Sequence, residues 1–406
     1  MFSTFAWLLI AASFLSAAAN PLYVRNRSPV TLQVAKRFNF TGVGTLLERD
    51  QARARGLVKL ARAKSNNRIR QDASFLRAAV SNQVTEYIVT VNSLILDTGS
   101  SNTWVGAGKA FVTTSTSVQT KDNVAVQYET GAFSGREFTD TVSLGDGLTV
   151  HDQSIGVASR STGFDGVDGI LGLGPADLTQ GTLSPDVNSI IPTFTDNLFS
   201  QGVIQSNQVS VAFAPADGLS STNGEVIFGG IDTSKFTGEL LFTPLTTISP
   251  ASEFWGIEQA VRYGSSTTIM PKLPGVIDTG STLTLFATEA FQRYQSATGA
   301  VLDANTGLLR VTLSQFANMQ SLFITIGGFP FEFTPNAQIW PRNLNTAIGG
   351  QTNFIYLIIG DLGTHEGEGL DFIDSLTFLE RFFAVFDTTN RRIGLATTEF
   401  TTATTN

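Results

Sequence analysis

The sequence predicts a mainly β protein in two lobes, on three observations. The chain has 406 residues, more than one ordinary domain. Charged residues make up only 15%, while 38 Gly and 31 Phe accompany many β-branched residues between turn-like stretches. Finally, Leu94-Ile95-Leu96-Asp97-Thr98-Gly99-Ser100-Ser101 recurs, 181 residues further on, as Val276-Ile277-Asp278-Thr279-Gly280-Ser281-Thr282. The plan of one half is therefore expected to repeat in the other.

Composition closes several routes to function. There are no cysteines, which excludes disulfides and thiolate chemistry. Only His151 and His365 are present, so no metal site and no cofactor are expected. No Gly-x-Ser-x-Gly elbow accompanies either histidine, and both read as surface residues. The net charge of −8 hides an asymmetry. Residues 21–79 carry 13 Lys/Arg against 3 Asp/Glu, and residues 80–406 carry 13 against 31. A basic leader on an acidic body fits binding to that body better than binding to nucleic acid, because no nucleic-acid motif accompanies it.

Taken in order, residues 1–19 form an apolar run, Trp7 to Ala12, closing on Ser16-Ala17-Ala18-Ala19. That pattern is expected of a secretory signal, and the run is short for a membrane span. Residues 20–79 are basic, helix-permissive from Leu46 to Leu60, and carry sequons at Asn26 and Asn39. They read either as a solvated linker or as a removable propeptide laid over an acidic groove and released in acid. Processing is expected within Arg70–Val80.

From Val80 the pattern changes to alternation and turns. Glu86–Val91 is a predicted strand that runs almost directly into the first Asp-Thr-Gly strand. Val124–Tyr128 and Phe138–Leu144 predict a hairpin whose turn contains Gly131 and Gly135. A short helix is expected at Thr195–Phe199 and another at Ala290–Tyr294. Tyr356–Gly360 reads as the second-half counterpart of Ile170-Leu171-Gly172. The lobe boundary falls near Thr246–Ser252, giving lobes 80–248 and 249–406. The Thr-rich tail Thr401–Asn406 is expected to fray.

The two Asp-Thr-Gly copies carry the chemistry. An acidic residue directly after a buried strand stays in water unless something recruits it. One copy is an ordinary turn tripeptide, but two copies point to one carboxylate from each half meeting at one site. Two carboxylates that close cannot both ionise cheaply, so they share a proton.

These motifs together resemble the pepsin-like aspartic proteases, from about Val80 to Phe400. The resemblance rests on Asp97 to Trp104, Tyr128, the two apolar-apolar-Gly stretches, and Val385-Phe386-Asp387 with Ile393-Gly394-Leu395-Ala396. Phe164–Gly172 and Asn336–Asn345 look like the cysteine-free fungal branch. The resemblance implies a bilobal pepsin-like fold of two six-stranded-barrel-like lobes with an active-site cleft between them. It implies Asp97 and Asp278 as the catalytic pair, activating a water with no acyl-enzyme, the mechanism for which such dyads serve as the general example. Thr98, Gly99, Ser100, Thr279, Gly280 and Ser281 would support the dyad. Tyr128, Thr130, Ile95, Ile170 and Thr282 would contact substrate, and Trp104 would hydrogen-bond Tyr128 to support the flap. Ile95 and Ile170 fit a generic core equally well.

The expected function is thus a secreted, monomeric acid endopeptidase cutting beside apolar or aromatic residues, with delivery to a vacuole as the alternative destination. Its partners would be polypeptide substrate, its own propeptide as an intramolecular inhibitor, and statine-type inhibitors, with no nucleic acid and no membrane. Two departures from the family pattern support a second reading, a catalytically impaired homologue that only binds peptides. Val91-Asn92-Ser93-Leu94 joins two strands with roughly eight residues fewer than an ordinary hairpin there. Glu129 stands after Tyr128, where the family usually has glycine.

Overall fold

The structure is a computed structural model and describes residues 28–39, 44–65, 84–89, 93–128, 131–216 and 218–406. The segment expected to be a signal, Asn26, the region where processing is expected, Val91, Asn92, Glu129 and Thr130 lie outside the described residues.

The chain is mainly β, in a bilobal pepsin-like fold. A 14-stranded sheet runs through the first half and a 7-stranded sheet forms the second. The large sheet also takes strands from the end of the chain. Phe382–Asp387 pairs with Gln208–Phe213, and Arg392–Thr397 pairs with Thr237–Pro244. The predicted short helices are present as Phe194–Ser200 and Thr288–Thr298. Thr193 and Asp196 close the start of the first in a capping box, which satisfies two otherwise unpaired backbone N–H groups.

The basic leader is part of this architecture rather than a linker. Val30–Asn39 is a strand between Ser220–Phe228 and Val84–Val89, antiparallel to both. Leu32 and Val34 are buried there at period two, while Gln33 and Arg37 face outward. Leu46–Ser65 is a helix, opened by Thr45 and Glu48, which exchange side-chain and backbone hydrogen bonds. Leu46, Asp50, Arg53, Leu57 and Ala61 recur at helical spacing on one face. Four of the five are buried, so that face lies against the body.

Three local expectations are corrected. Gly135 is not in the hairpin turn. Tyr128 pairs with Gly131 across the tip, and Gly135 sits inside the returning strand opposite Val124. A Cβ there would come within 2.8 Å of Ser159 N, so the glycine admits a neighbouring backbone. Second, the tail does not fray. Arg381 Nη1 donates to the carbonyls of Phe400 and Ala403, and Asn406 Nδ2 donates to Ile339 O. Third, Tyr356–Gly360 is not the counterpart of Ile170-Leu171-Gly172. The strand parallel to Thr267–Ile277, which leads into the second Asp-Thr-Gly, is Phe372–Asp374. Ile359–Asp361 instead pairs with Thr284–Phe286. Tyr356–Gly360 is the more apolar of the two in sequence, and only strand register shows that Phe372–Asp374 takes the place.

Candidate active site

Asp97 ends the Leu94–Asp97 strand, which is buried throughout and runs parallel to Gly169–Gly172. Asp278 directly follows Thr267–Ile277, parallel to Phe372–Asp374. Each loop then repeats the same bonds. Gly99 N donates to Asp97 Oδ1 at 2.9 Å, and Gly280 N to Asp278 Oδ1 at 3.0 Å. Ser100 Oγ donates to Asp97 Oδ2 at 2.5 Å, and Ser281 Oγ to Asp278 Oδ2 at 2.7 Å. Such donors stabilise an ionised carboxylate in a buried place.

The threonines tie the loops together. Thr98 N donates to Thr279 Oγ1 and Thr279 N to Thr98 Oγ1, each at 3.0 Å. The hydroxyls continue inward, Thr98 to Ile277 O at 3.2 Å and Thr279 to Leu96 O at 2.7 Å. The arrangement brings the carboxyls across to each other's loop. A Cβ on Gly99 would lie 2.6 Å from Asp278 Oδ1, and one on Gly280 would lie 2.7 Å from Asp97 Oδ1. A side chain at either position would displace Arg53 and the opposite carboxyl, so glycine keeps this arrangement.

Arg53 of the leader helix fills the space between the acids. Its Nε donates to Asp278 Oδ2 at 2.6 Å and its Nη2 to Asp278 Oδ1 at 2.8 Å. Nη2 also bonds Asp97 Oδ1. Burial works against the guanidinium charge, but Asp278 and Asp97 outweigh it and hold Arg53 well above its ordinary pKa. Burial likewise pushes Asp278 up, yet the Arg53 charge and the hydrogen bonds from Arg53, Ser281 and Gly280 N hold it below the usual carboxylate range. One helical turn earlier, Asp50 accepts from Thr282 N at 3.0 Å and Leu283 N at 2.7 Å. Arg49 Nη2 donates to Thr282 Oγ1 at 2.8 Å. Thr282, expected at the substrate, is therefore covered by the leader.

The other expected contacts fall in different places. Trp104 Nε1 donates to Tyr128 Oη at 3.2 Å, and the indole stacks on Phe133 at 4.2 Å between centroids. Burial and the charge on Asp97 push the Tyr128 phenol up, so it stays a neutral hydroxyl. Tyr128 also lines a cavity of about 170 Å³ beside Gly99–Asn102, lined on its other side by Leu57, Leu60 and Lys64 of the leader. Ile95 and Ile170 do not line this cavity. They are packed with Trp104 and Phe133 in the core beneath it, which favours the generic-core reading for both. His151 and His365 are exposed, the latter paired with Glu289.

Sequence reasoning missed Arg53, Arg49 and Asp50 as individual residues. The signal available was the basic excess of the leader and its helix-permissive middle, which names a segment but not which side chain reaches the dyad. Among the described residues, no cluster of His, Asp and Glu suits a metal ion.

Two buried aspartates on mirrored loops at the seam of two β-rich lobes define an aspartic protease site. The family model for eukaryotic aspartyl proteases matches residues 90–398, and the chain belongs to that family. Over 333 residues it is 62% identical to polyporopepsin of Irpex lacteus, covering 80% of this chain and 98% of that protein. Its structure matches the crystal structure of the aspartic proteinase from Irpex lacteus with a TM-score of 0.77 at 54% identity, covering 93% of this chain and all of that one. More distantly, it is 29% identical to cathepsin D of Dictyostelium discoideum over 75% of this chain and 79% of that protein. The chain is thus an aspartic-type endopeptidase, a hydrolase.

Proposed function

We propose that the chain is the secreted precursor of an acid endopeptidase, held inactive by its own leader, in which Asp97 and Asp278 activate a water once Arg53 has left. The observation that carries this reading is Arg53 bonded to both carboxylates, where water and the scissile peptide would have to sit. In the freed dyad one carboxyl is ionised and one protonated. The ionised group takes a proton from the water, whose oxygen attacks the peptide carbonyl. The other carboxyl gives its proton to the carbonyl oxygen, and the resulting diol collapses as the nitrogen leaves protonated. Tyr128, on the hairpin above, would close over the substrate, supported by Trp104. The apolar lining near Tyr128 supports a preference for apolar or aromatic side chains beside the cut.

Acid would release the leader by linkage. Asp278 is lowered in the closed form, so its contribution to closure is present above the ordinary carboxylate range and is lost as pH falls through the lowered value. The apolar run in residues 1–19 supports secretion, and among the described residues no helix is long and apolar enough to cross a membrane. The impaired reading gains no support. Val84–Val89 still pairs with Leu94–Asp97, through Ile88↔Ile95 and Val89↔Leu94, and the loop it feeds keeps its bonds. The test is Arg53→Met in the full chain. We expect this variant to cleave a denatured protein at a pH where the parent precursor is silent, and a statine-type inhibitor to block it. A variant as silent as the parent, with its leader still in place, overturns the assignment of Arg53 as the stopper.

A further inference from the structure

Behind the second catalytic strand lies a polar pair that the mechanism above does not use. In the first lobe, the strand beside the dyad puts Leu171 opposite Leu96, the residue before Asp97. In the second lobe the same place, opposite Ile277, is held by Asp374. Its backbone is part of the machinery, since Asp278 N donates to Asp374 O at 2.9 Å. Its side chain is fully buried. The contact it makes is with Gln259, itself fully buried on the adjoining Gly256–Tyr263 strand, whose Nε2 donates to Asp374 Oδ1 at 3.4 Å.

Two atoms of this pair are left without a partner, Asp374 Oδ2 and Gln259 Oε1. Both are acceptors if the acid is ionised, and two buried acceptors with no donor are costly. A single proton on Oδ2 would make it a donor, and one bond from it to Gln259 Oε1 would fill both vacancies. The geometry points to a cyclic acid–amide pair, Gln259 Nε2–H to Asp374 Oδ1 and Asp374 Oδ2–H to Gln259 Oε1, that positions the strand carrying Asp278.

Among the described residues, no cation offsets a charge at this place. On the surrounding elements, Lys272 pairs with Glu258, Glu380 with Lys36, and Asp278 with Arg53. Arg262 donates to the carbonyls of Gly264 and Ser265, Arg381 to those of Phe400 and Ala403, and Asp371 accepts from Gly367 N. Burial accordingly pushes the Asp374 carboxyl up to about 8, against a small opposing effect of Gln259. The sign follows: a carboxyl raised in the folded state binds a proton that the unfolded chain has released. Its contribution is complete below the ordinary carboxylate value and is lost as pH rises towards 8. The pair thus adds to the hold on the strand carrying Asp278 in acid, and that contribution fades as pH rises towards 8.

The test compares Asp374→Asn and Gln259→Glu with the parent. An asparagine reproduces the protonated acid, Nδ2–H for Oδ2–H, and cannot ionise. We expect the thermal midpoint of the full chain to fall less steeply from acid to neutral pH in Asp374→Asn, and the pH of half-inactivation of the matured enzyme to rise by about one unit. Gln259→Glu adds a second acid to the pair and should move both readouts the other way. Unchanged pH dependence in both variants overturns the pair, and so does an Asp374→Asn chain destabilised in acid. The activity arm rests on the dyad reading above. The thermal arm does not, so failure of the pair and failure of the dyad are distinguishable.

Discussion

The two Asp-Thr-Gly loops are nearly superimposable in chemistry, while the strands behind them are not. Each loop carries Asp-Thr-Gly-Ser, the same two donors to the carboxyl, and one half of the threonine exchange. Behind the first loop lies an apolar layer, with Leu96 against Leu171. Behind the second lies Ile277 against an acid, Asp374. In the mechanism proposed above the loops must match because they would share one proton and one water, whereas the supporting layers need only hold their own strand. The leader adds to the asymmetry, making two hydrogen bonds to Asp278 and one to Asp97.

Predictions can break or sharpen this comparison. The largest effect tests the symmetry of the acids. Asp97→Asn and Asp278→Asn should each lower acid proteolysis by the matured enzyme by about 10²–10⁴-fold or more, measured as kcat/KM on one peptide. A variant with near-parental turnover would show that the site does not work as a dyad. Next come the threonines. Thr98→Val and Thr279→Val each remove a buried hydroxyl that both donates and accepts across the seam. Each should cost about 1–3 kcal/mol in denaturant unfolding of the full chain, by similar amounts if the lobes share the load equally.

A smaller effect is expected from Trp104→Phe, which keeps an aromatic against Phe133 but loses the bond to Tyr128. About 0.5–1.5 kcal/mol of transition-state stabilisation should disappear, read as lower kcat/KM with the fold intact. The smallest concerns the first lobe alone. Glu137, buried on the Gly131–Ser143 strand, is pushed up to about 7 by burial, with Ser154 opposing. Its contribution is complete in acid and is lost as pH rises through about 7. Glu137→Gln should flatten the fall in thermal midpoint between pH values near 5 and 7, by less than the fully buried Asp374 does. An equal or larger effect would place the neutral-pH weakness in the first lobe instead.

Much of the site was legible because its chemistry is local. Asp97 and Asp278 stand out as acids at the ends of apolar strands, and their glycines and hydroxyls follow within three residues. The fold class was legible for a similar reason, since turn residues and alternation report strands directly. The failures share one physical origin. Gly135 looks like a turn signal, yet its lack of a side chain serves close strand approach. The apolar run Tyr356–Gly360 draws the eye away from Phe372–Asp374, whose acid disguises its place beside Asp278 until hydrogen bonds set the register. The leader strand Val30–Asn39 was hidden by its charge, because Lys36 turns inward to pair with Glu380, 344 residues away.

The sequence by itself determined which groups this protein can bring to a reaction: two repeated acidic turns, no thiol, two histidines, and a basic segment preceding an acidic body. Periodicity and composition are properties of neighbours along the chain, so these could be read without a fold. Only the tertiary structure decided that Arg53 is the cation lodged between the acids, that Thr98 and Thr279 clasp each other, and that Asp374 rather than a leucine stands behind Asp278. Those outcomes depend on which distant strands lie side by side and in what register, and pairing across hundreds of residues leaves no local mark.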